Sequence, residues 1–331
     1  MNLIDVNEKF ATDEQCLAYL EQMRWPDGVV RCPTCGCDRI SKIERKSAIV
    51  ERTKADGTTR KHKRRTSMYQ CLEKTCKQQF SATSGTIFND SHLPLHKWFM
   101  ALALVVDAKK GMSAKQLQAH LGIGSYRTAW YMAHRIRKSM DVPNEEFPKL
   151  TGVVEMDETY IGGKSIRPRQ SKQGGRSHEK DIVVALRQRG GPVRFMHVDD
   201  VKGSTLGQIA EAFISDDVEM IVTDDFKSYP LALKKFAGKH HRINHSLGYY
   251  VTGDQNEIHT NTVESAFSLF KRGLNGSYHM VSIKHLHRYL AEFEFRFNER
   301  KNPDRFQKTL GRMMQADPLE YKAITASPEL A

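Results

Sequence analysis

The chain has 331 residues, 39% hydrophobic and 27% charged, which is enough for two or three domains with cores of their own and ordinary for a globular protein. Lys and Arg number 51 against 39 Asp and Glu; the formal charge of +12 and a pI near 9.3 point to a polyanionic partner, nucleic acid first. No apolar run approaches the roughly 18 residues of a membrane span, no amphipathic or lipidated anchor is found, and Met1–Asp5 lacks the parts of a signal peptide. A membrane partner is therefore not expected, and the expected setting is the reducing cytoplasm, where six cysteines read as metal ligands or buried thiols.

In chain order, Thr12 caps a helix whose apolar stripe is Cys16, Leu17 and Leu20. Cys32-Pro33-Thr34-Cys35-Gly36 is half of a zinc knuckle, and Cys71 and Cys76 supply a second, wider pair. Four thiolates close a tetrahedral shell, so Cys32, Cys35, Cys71 and Cys76 are expected to hold a structural Zn2+, with Cys37 a competing ligand. Ile49–Arg52 and Ser67–Gln70 read as strands joined by a turn at 55–58, completing a zinc-ribbon domain over residues 1–90. The dense basic run at 60–65, including Arg64 and Arg65, reads either as a solvated loop or as a phosphate contact.

Residues 91–142 are helical by period. Trp98–Val106 is a core helix. Ser113 caps a helix that Gly122 ends, and after a short turn Tyr126–Lys138 forms a second, basic helix. This is a helix-turn-helix pattern in which Ser125, Arg127 and Thr128 open the recognition helix, and Arg127, Arg135 and Arg137 are candidate DNA contacts. Met140–Pro148, with two prolines, reads as a linker.

From residue 150 to 331, strand and helix patterns alternate. Val153–Asp157 is a strand ending in a carboxylate. Strands Asp181–Leu186 and Val193–Val198, a helix Thr205–Phe213 and a strand Val218–Asp224 follow, then a helix near Lys227–Lys235 and a strand near Arg242–Asn244. That order suits an α/β RNase H-like sheet. Asn261–Glu264 opens a helix whose stripe Val263, Phe267, Phe270 and Leu274 packs on the sheet, leaving Glu264, Ser268 and Lys271 on the adjacent face. Two-metal phosphoryl transfer needs a few converging carboxylates, and Mg2+ or Mn2+ suits such oxygen ligands. Asp157, Asp224 and Glu264 fit, with Asp225, Asp199 and Asp200 as competitors. Lys271, two turns beyond Glu264, suits a DNA phosphate. His259, His279, His285 and His287 read as core, DNA-facing or structural residues; among them His259 and His279 are the best candidates for a site role.

These residues resemble the insertion-sequence DDE transposases with an N-terminal zinc ribbon, the ISXO2-like group. The resemblance rests on Cys-Pro-x-Cys-Gly at 32–36, the segments 80–88 and 95–98, Asp157–Lys164, Asp224–Tyr229, His259–Ser265, Lys271–Gly273, Gly276–His279 and Arg296–Asn298. It implies that Asp157, Asp224 and Glu264 are the catalytic triad. It also implies endonuclease and strand-transfer activity in DNA transposition and recombination, on the terminal inverted repeats of the element and on target DNA. Because two ends must meet, a homodimer or higher assembly on DNA is expected, in the cytoplasm at the nucleoid. The competing readings are a silent DNA-binding regulator and an RNase H-like nuclease without strand transfer.

Overall fold

The computed structural model describes residues 1–44, 49–53, 57–63, 67–162, 181–244, 251–254 and 257–326. The chain packs as two compact units, Met1–Ala103 with Phe306–Ala331, and Leu104–Arg305. This grouping differs from the three parts expected at 1–90, 91–142 and 150–331: the second helical pair packs with the sheet, and the C-terminal helices pack with the N-terminal unit.

The first unit opens with a helix not anticipated from sequence, α1 (Leu3–Lys9), started by a reciprocal cap between Asn2 and Asp5. Helix α2 (Asp13–Arg24) is capped by Thr12 and Gln15 in the same way, and it buries Cys16 and Leu20 as its spacing predicts. Burial pushes the Cys16 thiol up to about 12, so it behaves as an apolar side chain. The strands β1 (Ile40–Glu44), β2 (Ile49–Thr53), β3 (Thr59–Lys63), β4 (Ser67–Cys71) and β5 (Gln79–Phe80) follow. Strand pairing departs from expectation. Ile49–Thr53 pairs with Thr59–Lys63, whereas β4 takes β1 and β5 as antiparallel neighbours. Gly57, at φ +79°, lies in the β2–β3 connection, so the next strand is the start of the basic run, whose Lys and Arg are poor strand formers and hid it. Arg64 and Arg65 lie outside the described residues. Helix α3 (Leu95–Asp107) buries Trp98, Phe99 and Leu102 in this unit, and its last four residues belong to the second.

The second unit begins with α4 (Ala114–His120), capped by Ser113 and Gln116, and α5 (Tyr126–Met140). The stretch expected as a linker is packed: Met140 ends α5 in the interior, and Phe147 enters the sheet's core. Then come β6 (Val153–Ile161), β7 (Asp181–Gln188), β8 (Val193–Val198), α6 (Gly203–Phe213), β9 (Met220–Asp224), α7 (Tyr229–Ala232) and β10 (His240–Ile243). Helices α8 (Asn261–Gly273) and α9 (Ile283–Asn298) complete the unit. The sheet order is β10-β9-β6-β7-β8; β7 runs antiparallel to both β6 and β8, while β9 and β10 join parallel to β6.

Two elements differ from expectation in extent. β6 does not end at Asp157, because residues 157–161 continue the ladder with 181–185. The helix expected at 227–235 is one turn, started by Pro230 and followed by a 3-10 segment at Lys234–Lys239. Alternation sends Val184 and Leu186 toward α6 and Val183 and Ala185 toward α8 and α9, giving helix layers on both faces.

Helix α5 faces α9 with charge. Arg137, 2% exposed, donates to Glu292 at 2.6 Å and stacks 4.1 Å from the Tyr289 ring, while the Tyr278 hydroxyl donates to the other Glu292 oxygen at 2.6 Å. Arg194 of β8 makes a similar buried pair with Glu294 at 2.6 Å. Glu292→Gln, which leaves the Arg137 cation short of its counter-charge, is expected to destabilise by about 3–5 kcal/mol; joint replacement by Arg137→Met and Glu292→Leu recovers most of the loss. Urea unfolding checks this, and an equal loss in single and double variants would reduce the pair to packing alone.

His134, fully buried on α5, touches the rings of Trp130, His285 and Tyr289, and neither of its ring nitrogens has a hydrogen-bond partner. Burial first, then the charges of Arg137, His285, Arg288 and His287, hold its pKa down to about 2. The folded ring stays neutral while the unfolded one protonates below about pH 6.5. Its contribution to stability is thus complete above that pH and falls by about 1.4 kcal/mol per unit beneath it. The urea midpoint is expected to drop between pH 7.5 and 5.5, and less so in His134→Phe; equal drops in the two proteins would acquit this residue.

Candidate functional site

Three acids from three elements meet at one end of the sheet. β6 and β9 are parallel with Glu155 opposite Val222, so two residues further on Asp157 stands beside Asp224. Alternation turns Asp157 to the same face as Glu155, the face covered by α8, which carries Glu264 in its first turn. Burial, then the charges of Glu158, Asp224 and Glu264, push the Asp157 carboxyl up to about 7. Asp157 accepts from the Glu158 amide at 2.8 Å, Asp224 from the Phe226 amide at 3.0 Å, and Glu264 from the Thr260 hydroxyl at 2.8 Å.

Glu158 is a fourth acid of this neighbourhood that pattern reasoning did not single out. It lies on the opposite face of β6, where the buried Tyr229 hydroxyl donates to it at 2.6 Å; burial raises its pKa. Two of the three competing acids are tied elsewhere. Asp225 accepts from Arg242 at 2.8 Å and Asn244 at 3.0 Å, and Asp200 from Thr205 at 2.6 Å and Lys202 at 2.7 Å.

One further carboxylate holds the arrangement. Glu155, with no exposed surface, accepts the backbone N–H groups of Thr262 and Val263 at 2.8 Å each, at the N-terminus of α8. Its other oxygen accepts from Arg189 at 2.6 Å and lies 3.2 Å from His259 Nδ1. Arg189 also donates to the carbonyls of Glu257 and His259. His259 is thus part of the clamp that seats α8. His285 belongs to the His134 ring cluster, His287 is exposed on α9, and His279 follows the π-helical turn Leu274–Tyr278 at φ +58°.

The cysteines form a compact centre. Cys32 Sγ is 3.7 Å from Cys76 Sγ, Cys35 Sγ is 3.6 Å from Cys71 Sγ, and all four sulfurs lie within 4.8 Å of one another. A tetrahedron with metal–sulfur bonds of about 2.3 Å has edges of about 3.8 Å, so the set fits zinc. Burial raises the Cys32 thiol, but the amides of Cys35 and Thr34 outweigh it and draw the pKa down to about 7. Cys37 stands outside the group, its sulfur accepting from the Arg39 amide at 3.3 Å. Among the described residues this is the one group of three or more His, Cys, Asp or Glu so closely gathered; the carboxylates are spread more widely.

Of the basic residues expected at DNA, Arg127 is exposed at the start of α5 and Lys271 is exposed on α8. Arg135 and Arg137 are not surface groups. They are 3% and 2% exposed, Arg137 is consumed by Glu292, and the Arg135 guanidinium lies 5.2 Å from the Tyr131 ring. Both are corrected from DNA contacts to interior residues: their side of α5 is covered within the second unit, and a buried cation retained there needs an anionic or aromatic partner.

Residues 149–298 match the ISXO2-like transposase domain, and residues 11–79 match the transposase zinc-ribbon domain. Over 300 residues the chain is 29% identical to an uncharacterized protein in transposable element ISH50 of Halobacterium salinarum, covering 87% of this chain and 91% of that one. Solved structures of a pre-cleavage Mos1 transpososome and a Mos1 strand transfer complex align at 13% and 11% identity. They cover 63% and 65% of this chain and 76% and 78% of theirs, with TM-scores of 0.23 and 0.25 that carry no weight here. No helix among the described residues is long and apolar enough to cross a membrane. The two domain matches follow one another along the chain, the ribbon over the four gathered cysteines and the transposase domain over the acid-bearing sheet, so the chain joins a transposase zinc-ribbon domain to an ISXO2-like transposase domain.

Proposed function

We propose that this protein cuts DNA at the ends of its element by hydrolysis and joins the freed 3′-hydroxyl to target DNA. The carrying observation is the convergence of Asp157, Asp224 and Glu264, where burial first, then the charges of Glu158, Asp224 and Glu264, lift the Asp157 carboxyl to about 7. Gathered carboxylates, all hard oxygen, suit divalent Mg2+ or Mn2+, with those three residues as ligands. Bound there, such ions supply activation of the attacking oxygen and charge relief at the leaving one. The chain's own part is placement. Thr260 fixes the Glu264 carboxylate, the Phe226 and Glu158 amides fix the two aspartates, and Glu155 seats the helix that bears Glu264.

The sheet order, with three antiparallel strands followed by two parallel ones and helices on both faces, supports reading this unit as RNase H-like. Helix α4, the turn at Gly122–Gly124 and α5 support a helix-turn-helix with Ser125 and Arg127 toward the DNA. Lys271 lies seven residues past Glu264 on the same side of α8, about 10 Å along the axis, and is assigned to a backbone phosphate. The four cysteines are assigned a structural Zn2+. Acting on two ends at once calls for a homodimer or larger assembly on DNA, working in the cytoplasm at the nucleoid.

Cleavage and joining of duplexes carrying the DNA that flanks this gene are expected in Mg2+ or Mn2+. Asp157→Asn should lower both by at least about 100-fold with DNA affinity kept. Equal activity in both proteins would refute the triad, cleavage without joining would favour a nuclease, and specific binding without product a silent regulator. Zinc should be present at about one ion per chain by mass spectrometry, and a strong chelator or Cys35→Ser should lower the melting temperature. Zinc-free protein with an unchanged melt would refute the metal assignment.

A further inference from the structure

A second basic feature lies within the 104–305 unit, beside the acids but separate from them. A cavity of about 410 Å3 is bounded by the end of α3, by Ser265, Leu269 and Arg272 on α8, and by Phe293 and Phe297 on α9. Its lining carries Lys109, Arg272, Arg296, Arg300 and Arg305 against one carboxylate, Asp107. That carboxylate is taken by Arg305, which donates to it at 2.7 and 3.0 Å. Four cations therefore remain without an acid in the lining.

Arg296 gives the cavity its chemistry. It is 8% exposed, so its guanidinium is set in place and not drifting in solvent. Nη1 donates to the Ala108 carbonyl, and Nε lies 3.2 Å from a Glu292 oxygen without hydrogen-bond alignment. Nη2 has no partner. A buried N–H without an acceptor is costly and calls for one from outside. Arg300 stacks 4.1 Å from the Phe297 ring, which holds its charge at the same rim, while Arg272 and Lys109 are exposed. A fixed, partly desolvated guanidinium ringed by further cations is a receptor for a tetrahedral oxyanion.

We infer that this cavity binds one backbone phosphate of a DNA strand lying along α8. The inference rests on the reading that Glu264 stands at the scissile bond. Ser265, Leu269 and Arg272 form the stripe next to that of Glu264 and Lys271, and Arg272 is eight residues, about 12 Å, beyond Glu264 along the helix. With a rise of about 3.4 Å per nucleotide, the phosphate is three to four nucleotides from the cut. Such a contact fixes register and does not read sequence.

The test is DNA binding by the full chain without divalent metal, at salt from about 50 to 200 mM, comparing wild type with Arg272→Gln, Lys109→Gln and the double variant. Both positions are exposed, so the melting temperature should hold. The double variant should bind more weakly on flank and scrambled duplexes alike, with a salt slope smaller by about one, which is about threefold across that range. A neutral methylphosphonate three to four nucleotides from the cut should weaken wild type and leave the double variant unchanged. Unaltered affinity and slope in the double variant, or no DNA binding by wild type, would overturn the inference. So would inorganic phosphate raising the melting temperature of wild type but not of the double variant while DNA binding stays equal, since the site would then serve a free anion. Wild type that binds but yields no product in Mg2+ or Mn2+ removes the transposase activity and leaves the phosphate site; wild type that cuts while the double variant binds normally removes the phosphate site alone.

Discussion

The buried carboxylate of Glu155 is the interaction on which the acid-bearing end of the sheet depends. An ionised carboxyl with no exposed surface is unfavourable unless its oxygens are met. Here one oxygen receives two amides from the first turn of α8, which also sets negative charge against the positive end of the helix dipole, and the other receives Arg189. Satisfying that charge fixes where α8 begins relative to β6, and hence where Glu264 stands relative to Asp157. Arg189 extends the same restraint to the segment before the helix by holding the carbonyls of Glu257 and His259.

The neighbouring helix on the same face of the sheet uses the same device. Helix α9 carries Glu292 and Glu294 inward, one meeting Arg137 of α5 and the other meeting Arg194 and the Phe195 amide of β8. A helix that is charged at its buried face gains directional contacts where greasy packing alone would permit sliding, at a desolvation cost that the pairing must offset. The two face-covering helices are thus each located by carboxylate contacts, while Val263, Phe267, Phe270, Leu286, Leu290 and Phe293 supply the apolar area.

Much of this was legible in the sequence, for physical reasons. The cysteine pairs carry their spacing with them, and the four thiols close as expected. Short apolar runs located β7 and β8, and the Val263–Phe270 stripe located the packing face of α8. What pattern could not reveal was the partner of a charge. Arg135 and Arg137 read as surface cations because nothing local distinguishes a guanidinium facing water from one facing Glu292, 155 residues away. Glu155 looked like an ordinary strand residue for the same reason. The basic strand β3 was hidden by its composition, and β6 ran past Asp157 because its ladder partner, not its own sequence, decides where it stops.

The return of the chain after Arg305 has a consequence for synthesis. Phe306 stacks with Phe10 and meets Phe99 edge-on, and the Ile87 amide donates to the Met313 carbonyl at 3.1 Å, so the first unit draws its core from sequence on both sides of the second. On the ribosome, at about 5–20 residues per second, the 202 residues from 104 to 305 take roughly 10–40 s to make. Through that interval the N-terminal hydrophobic groups wait, incompletely covered, for aromatic partners that do not yet exist. The thiol centre can close on its own residues in the meantime, giving the nascent chain a local anchor before its long-range core can form.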